Sequence, residues 1–165
     1  MVSRKDRVDY INTDRRLRSL HATHRAFGAS GRLFPVTSRG NRGTHIFLGD
    51  VDRLDFLDLL RSTVELFEWR MQAHCLMGTH YHLLVDTTRE RLSEGMRRLN
   101  GVYALRFNRR YGLTGHLFET RFSSYVLRDE GHLAAAVRYI LENPVRAGLC
   151  RDSRDWPWSA VDYRT

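Results

Sequence analysis

The stretch Met77-Gly-Thr-His-Tyr-His-Leu-Leu-Val85 decides how this chain folds and what chemistry it can carry. Side chains alternate between the two faces of a β-strand, so His80 and His82 share one face while Tyr81 and Leu83 share the other. We therefore predict a strand with one face for packing and one face for polar chemistry.

The sequence on either side of this strand indicates the remaining elements. Gly78-Thr79 is short enough to close a hairpin with the apolar residues before it. Apolar residues recur every three or four positions after Asp50, which predicts a helix capped by that aspartate. A later helix is predicted to end at Asn143-Pro144, because proline disfavours helical geometry in the residue before it. In chain order, the predicted strands cover 33–38, 69–77, 80–86 and 121–127, and the predicted helices cover 51–67, 92–111 and 130–142.

The order strand, helix, strand, strand, helix, strand, helix is typical of an α+β fold. We predict a ferredoxin-like antiparallel sheet with helices packed mainly on one side. The 165 residues suffice for one hydrophobic core, and we expect a basic, partly ordered arm over 1–32 and a catalytic domain over 33–165. The sequence shows neither an apolar run of about 20 residues nor a secretory signal. A cytoplasmic protein with reduced thiols at Cys75 and Cys150 is therefore expected.

The charge balance indicates a polyanionic partner. The formal net charge is +8, and every basic residue except Lys5 is an arginine. Guanidinium groups bind phosphate bidentately, so nucleic acid is the favoured partner and small-molecule cofactors are not expected. The candidate phosphate contacts are Arg39, Arg42, Arg97, Arg98, Arg106, Arg109, Arg110 and Arg121.

A candidate catalytic centre follows from the histidine pair and the third predicted helix. Neutral imidazoles bind divalent metals, and Tyr139 and Asn143 lie one turn apart on a helix that we expect to cross the histidine face. A metal held by His80, His82 and Asn143 would polarise a phosphodiester, and the Tyr139 phenol would attack it. The alternatives at this point are a hydrogen-bonded histidine pair without metal and a tyrosine that packs. Tyr103 competes as nucleophile but lies on an apolar stripe.

The sequence also resembles a known family, the single-tyrosine HUH transposases, and among them the REP-associated tyrosine transposases. The resemblance covers roughly residues 33–163 and rests on Val36-Thr-Ser-Arg-Gly40, Ile46-Phe47, Asp52-Arg53, Met77-x-x-His80-Tyr-His-Leu-Leu-Val85, Tyr103, Phe107-Asn108, Gly115-His-Leu-Phe-Glu-Thr-Arg-Phe122, Arg138-Tyr-Ile140, Asn143-Pro-Val-Arg-Ala-Gly148 and Trp158-Ser159. The sequence departs from the family pattern at Thr79, where asparagine is common, and at Pro35, near a common histidine.

The resemblance implies a metal-dependent single-stranded DNA endonuclease and strand transferase acting beside hairpin-forming repeats. It implies His80 and His82 as metal ligands with Asn143 as the third, Tyr139 as nucleophile, and Mg²⁺ or Mn²⁺ as the metal. Cleavage would leave a 5′-phosphotyrosine and a free 3′-OH. A monomer is favoured over a dimer. The rival hypotheses are a non-catalytic module that binds structured DNA or RNA, and a phosphodiesterase that uses water.

Overall fold

The computed structural model of the protein describes residues 32–161. Five strands form one antiparallel sheet in the order β4-β1-β3-β2-β5, and three long helices cover it. The strands are β1 (Arg32–Arg39), β2 (Arg70–Leu76), β3 (His80–Thr87), β4 (Ser123–Ser124) and β5 (Ser159–Val161). The helices are α1 (Asp50–Leu66), α2 (Arg89–Tyr111) and α3 (Glu130–Arg146), with short 3-10 turns at Asn41–Gly43 and Ser153–Asp155. The predicted α+β fold class is confirmed.

The central strand β3 separates two hydrophobic cores. Tyr81, Leu83 and Val85 point to the face on which α1 and α2 pack, and all three are fully buried. Leu84 points to the opposite face, where it joins a second core in which strand residues such as Ala73 pack with α3 residues such as Val137. Two of the three helices thus lie on one side, as predicted, and α3 alone covers the side that carries the histidines.

Capping residues fix where the helices begin. The predicted cap Asp50 is instead the first residue of α1, after Gly49. The Asp52 carboxylate accepts hydrogen bonds from the backbone N–H groups of Leu48 and Gly49. The Thr88 side chain accepts from the backbone of Arg91 at the start of α2. Asp129 accepts from the backbone N–H of His132 at the start of α3. These bonds satisfy backbone groups that a helix start leaves without intrahelical partners.

The largest differences from the predicted elements lie in α3, β4 and β5. α3 runs past Asn143 to Arg146 with Pro144 inside it. Pro144 is buried, and tertiary packing of this kind outweighs the local preference against helix before a proline. The strand predicted over 121–127 shrinks to two residues, and β5 was not predicted. The arm predicted over 1–32 lies outside the described residues except for Arg32.

The C-terminal tryptophans hold the last described segment to the sheet, as anchoring residues. The Trp156 indole donates a hydrogen bond to the Leu76 carbonyl at 3.0 Å. The Trp158 carbonyl accepts from the Leu76 backbone at 2.9 Å, and its ring lies 5.4 Å from the Arg53 guanidinium. Cys75 and Cys150 are both free thiols, in agreement with the sequence. Across residues 32–161, none of the helices combines the length and the apolar character that a membrane span requires.

Candidate active site

His80 and His82 lie at the start of β3, on the sheet face that α3 covers. Their ring centroids are 5.0 Å apart and the ring planes are nearly perpendicular. His82 is 6% exposed, whereas His80 is partly exposed. The predicted same-face pair is therefore present, with the inner histidine buried and the outer histidine at the end of the strand.

A threonine hydroxyl contacts the Nδ1 atom of each imidazole. Thr37 Oγ1 lies 2.9 Å from His82 Nδ1, because Thr37 and His82 are directly paired between β1 and β3. Thr79 Oγ1 lies 3.0 Å from His80 Nδ1. An Nδ1–H that donates to such an oxygen leaves Nε2 as the free lone pair, which is the usual arrangement behind a metal-binding histidine.

α3 brings Tyr139 and Asn143 to the histidine pair. The Tyr139 ring centroid lies 5.6 Å from that of His82 in an edge-to-face arrangement, and the tyrosine is 47% exposed. The Asn143 amide nitrogen donates to the Tyr139 carbonyl at 2.8 Å, which leaves its side-chain oxygen for another partner. The Arg146 guanidinium lies 5.3 Å from the Tyr139 ring. The phenol is thus both accessible and adjacent to the buried histidine.

The electrostatics of the pair favour neutral imidazoles. Burial, the largest cause, and the positive charges of His80 and Arg39 lower the pKa of His82 from 6.5 to about 4, while the adjacent Asn143 side chain opposes the change. Burial, followed by the charge of Arg39, also lowers the pKa of His80. Neutral imidazole is the form that binds a metal ion.

The chemistry of the donor set suits a divalent metal. Within residues 32–161 no cluster of three or more His, Cys, Asp or Glu side chains is placed to hold a metal, so a carboxylate-rich site is absent from that range. His82 Nε2, however, is buried and has no hydrogen-bond partner in the described chain. An unpartnered buried nitrogen costs free energy unless a ligand satisfies it. Two imidazoles with the Asn143 amide oxygen therefore fit a metal that completes its shell with water or phosphate oxygens.

Tyr103, the competing nucleophile, is a packing residue as predicted. It is fully buried, and its hydroxyl donates to the Ile46 carbonyl at 2.6 Å. Burial, the largest cause, and the nearby Asp52 carboxylate raise its pKa, which opposes formation of the nucleophilic phenolate.

The candidate DNA-binding arginines occupy four different settings. Arg39 lies opposite His80 in the β1–β3 pairing and contributes to the charge around the histidines. Arg42 is exposed in the 3-10 turn that follows β1. Arg97 and Arg121 line a groove beside α2.

The remaining candidates lie on α2, whose buried face packs on the other side of the sheet from the histidines. Arg106 pairs with Asp55 at 2.7 Å, and Arg110 pairs with both Asp52 at 2.7 Å and Asp55 at 2.9 Å. These ion pairs join α2 to α1 and neutralise part of the predicted basic surface. Further residues of this set are Arg98, partly buried, and Arg109, exposed in the last turn.

Sequence reasoning did not single out Thr37 or the contact between Thr79 and His80. Thr37 belongs to a quoted motif, but its role depends on which residue of β3 lies opposite it. Thr79 was noted only as a departure from the family pattern. A polar residue at an inward position of a strand that neighbours the histidines would have been the available signal for Thr37.

Comparison with known proteins identifies the family of this chain. Residues 36–143 match the family model described as "Transposase IS200 like", which covers well over half of the chain. The chain therefore belongs to the IS200-like transposase family, an enzyme family of the DNA transposase kind. This confirms the family resemblance inferred from the sequence motifs.

The chain is similar to a curated relative and to a solved structure. The relative, from Haemophilus influenzae, is named "Putative REP-associated tyrosine transposase" and is 26% identical over 118 residues, which is 64% of this chain and 66% of the relative. The match thus spans just under two thirds of the relative's length. The structure is that of a REP-associated tyrosine transposase bound to a REP hairpin, with a TM-score of 0.61 and 19% identity. It covers 82% of this chain and 80% of that chain, and this likeness shows the fold.

Proposed function

We propose that this protein cuts and rejoins single-stranded DNA beside hairpin-forming repeats, with Tyr139 as the nucleophile. The observation that carries the proposal is the contact between the exposed Tyr139 phenol ring and the buried His82, whose Nε2 has no partner among residues 32–161. A phenol beside an unoccupied imidazole nitrogen suits covalent phosphoryl transfer assisted by a metal. Membership of the transposase family supports the same reaction class.

The proposed reaction of Tyr139 is a transfer of a phosphoryl group and involves no oxidation or reduction. Tyr139 Oη attacks the scissile phosphorus and loses its proton, a bond forms between Oη and phosphorus, and the bond from phosphorus to the 3′ oxygen breaks. The leaving oxygen takes up a proton and becomes a 3′-OH, while the 5′ end stays on the protein as a phosphotyrosine. Attack by a 3′-OH on that ester reverses the steps, so rejoining needs no external energy source.

The other residues of the site hold and orient. His80, His82 and Asn143 would hold the metal. Hydrogen bonds from Nδ1–H to the threonine hydroxyls would leave Nε2 of each imidazole as the metal-binding atom. When bound, Mg²⁺ or Mn²⁺ would neutralise charge on the phosphodiester. Asn143 also ties its side chain to the backbone of Tyr139, so ligand and nucleophile move as one helical turn.

We propose hairpin DNA as the substrate class. The solved structure described above contains a REP-associated tyrosine transposase bound to a REP hairpin, and the positive charge of this chain suits a nucleic-acid backbone. We propose the same substrate class here, together with a cytoplasmic location and a monomeric active unit.

A covalent-adduct experiment tests the proposal. The probe is a pool of 3′-labelled single-stranded oligonucleotides that share one stem-loop and carry randomised unpaired flanks, incubated with the protein and Mn²⁺. Because the 5′ end at the cut joins the protein, the 3′-labelled fragment should migrate with the protein on a denaturing gel. Tyr139→Phe should abolish this band. Tyr125→Phe is the matched control, since Tyr125 is also an exposed tyrosine and should retain it.

Two rival functions give different results in the same assay. A non-catalytic DNA- or RNA-binding module would form no adduct with any variant, and on a native gel it would shift the probe with or without chelator. A phosphodiesterase using water would cut the probe, would form no adduct and would tolerate Tyr139→Phe. An adduct of wild-type strength in Tyr139→Phe would refute the assignment of the nucleophile.

A further inference from the structure

A groove runs along the β4 edge of the molecule, outside the candidate active site. It is lined by Ser93, Glu94 and Arg97 from α2 and by Arg121 and Phe122 from the segment before β4. Its volume is about 510 Å³, within the range of about 300–1,000 Å³ that is common for sites of small molecules. The groove combines two guanidinium groups, one aromatic ring and one carboxylate.

A buried polar network fixes the wall of the groove that carries Arg121. The Asn100 amide nitrogen donates to the Arg121 carbonyl at 2.6 Å and to Ser38 Oγ at 3.0 Å. The Asn100 oxygen accepts from the fully buried Tyr81 hydroxyl. Phe122 next to it packs partly against the first hydrophobic core. The Arg121 and Phe122 side chains therefore project from a backbone that central elements hold in place.

The two arginines of the groove form no ion pairs within the described residues. Arg97 and Arg121 are exposed, and neither forms an ion pair with another residue in the range 32–161. Arg106 and Arg110, nearer the C-terminus of the same helix, are both paired with acidic residues of α1. Free guanidinium groups at a fixed site are available to bind phosphate.

We propose that this groove binds one unpaired nucleotide of the DNA strand, an inference that rests on the proposed function and extends it. Phe122 offers its ring face to the base, and Arg97 and Arg121 bind the flanking phosphates. Glu94 repels phosphate, so it faces the base and accepts a hydrogen bond from a base N–H.

The position of the groove suits a strand on its way to the active site. Thr37 of β1 pairs with His82 on one side and with Ser123 of β4 on the other. Neighbouring strands are about 4.8 Å apart, so two spacings, or about 10 Å, separate the β4 edge from the histidine strand. A single-stranded segment that passes around this edge reaches the α3 face beside Tyr139.

Fluorescence anisotropy with a labelled oligothymidine tests the groove. Binding is measured over a series of salt concentrations in EDTA, which separates binding from cleavage. Thymine offers an aromatic face like every base, so stacking does not depend on sequence. Phe122→Leu, which keeps an apolar side chain, should weaken binding about 5- to 150-fold and leave the salt dependence unchanged. Arg97→Gln and Arg121→Gln should each lower the slope of log K against log salt by about 0.7.

The matched control is Arg61→Gln, which removes an exposed helical arginine of α1 that pairs with Asp58. The Arg61→Gln variant should bind oligothymidine with nearly the wild-type affinity and with nearly the wild-type slope of log K against log salt. Fully paired duplex DNA should bind wild type and Phe122→Leu equally, because its bases are already stacked. Thermal unfolding of each variant shows whether the substitution has destabilised the fold. Because Arg121 is exposed, Arg121→Gln tests the groove even if Phe122→Leu destabilises the protein.

The outcomes separate this inference from the proposed function. If Phe122→Leu, Arg97→Gln and Arg121→Gln all match the Arg61→Gln control, the groove does not bind DNA, while an adduct at Tyr139 would still support the proposed function. A wild-type protein that does not bind oligothymidine also overturns the groove. The proposed function itself is judged by the adduct assay alone.

Discussion

Acidification is expected to destabilise the metal-free protein through the buried His82. Its pKa in the folded protein is about 4 against an ordinary value of 6.5. Between about pH 6.5 and pH 4 the imidazole is therefore protonated in the unfolded chain but neutral in the folded chain. The contribution of His82 to stability is complete above about pH 6.5 and is lost as the pH falls from there to about 4.

The magnitude follows from the difference between the two pKa values. A pH of about 5 is about 1.5 units below the pKa of the imidazole in the unfolded chain. At about 1.4 kcal/mol per unit, this difference corresponds to a loss of roughly 2 kcal/mol in the free energy of unfolding. Below about pH 4 the loss levels off near 3 kcal/mol. A loss of this size is a substantial part of the roughly 5–15 kcal/mol that stabilises a typical domain.

Urea unfolding in EDTA, followed by tryptophan fluorescence, to which the buried Trp69 contributes, measures this effect at about pH 8 and pH 5. His82→Gln removes the titrating group, so its loss of stability on acidification should be about 2 kcal/mol smaller than that of wild type. His116→Gln, which removes an exposed imidazole, is the matched control and should behave as wild type. Equal losses in wild type and His82→Gln would refute the reasoning.

Three other substitutions test the fold and the site. Thr37→Val removes the hydroxyl at His82 Nδ1 and should weaken Mn²⁺ binding about 10- to 100-fold by calorimetry; Thr37→Ser should restore it, and unchanged affinity in the valine variant would exclude a positioning role. Gly95→Ala should lower stability by about 1–3 kcal/mol in thermal unfolding, because a Cβ there would overlap the Trp69 indole; a neutral result would contradict this packing. Asp52→Asn should cost about 2–4 kcal/mol in urea unfolding, because the buried carboxylate accepts from two backbone N–H groups and from Arg110; a loss below about 0.5 kcal/mol would show that these contacts contribute little.

The two faces of the sheet carry different parts of the protein. α1 and α2 cover one face and build the larger core, while α3 covers the face that holds the histidines. The proposed chemistry lies between β3 and α3, and the proposed nucleotide groove lies between α2 and the segment before β4. A strand of DNA would contact both regions without crossing the packed interior.

Much of the fold was predictable because its signals are local. Strand alternation placed His80 and His82 on one face, and helical periodicity located α1 and α2 to within a few residues. Pro144 misled the prediction of the end of α3, since burial of the proline outweighs the local conformational preference. β5 is three residues long and is held by pairing to β2, so its own residues carry little signal.

The sequence by itself determined the histidine pair, the spacing of Tyr139 and Asn143 and the excess of arginine, because each depends only on residue type and helix or strand period. Only the tertiary structure decided that Tyr139 reaches His82, that Thr37 contacts an imidazole 45 residues away, and that Arg110 pairs with α1. The physical reason is that these contacts depend on strand register and on the side of the sheet that each helix covers. Both follow from burial of the whole apolar surface at once, which no short stretch of sequence encodes.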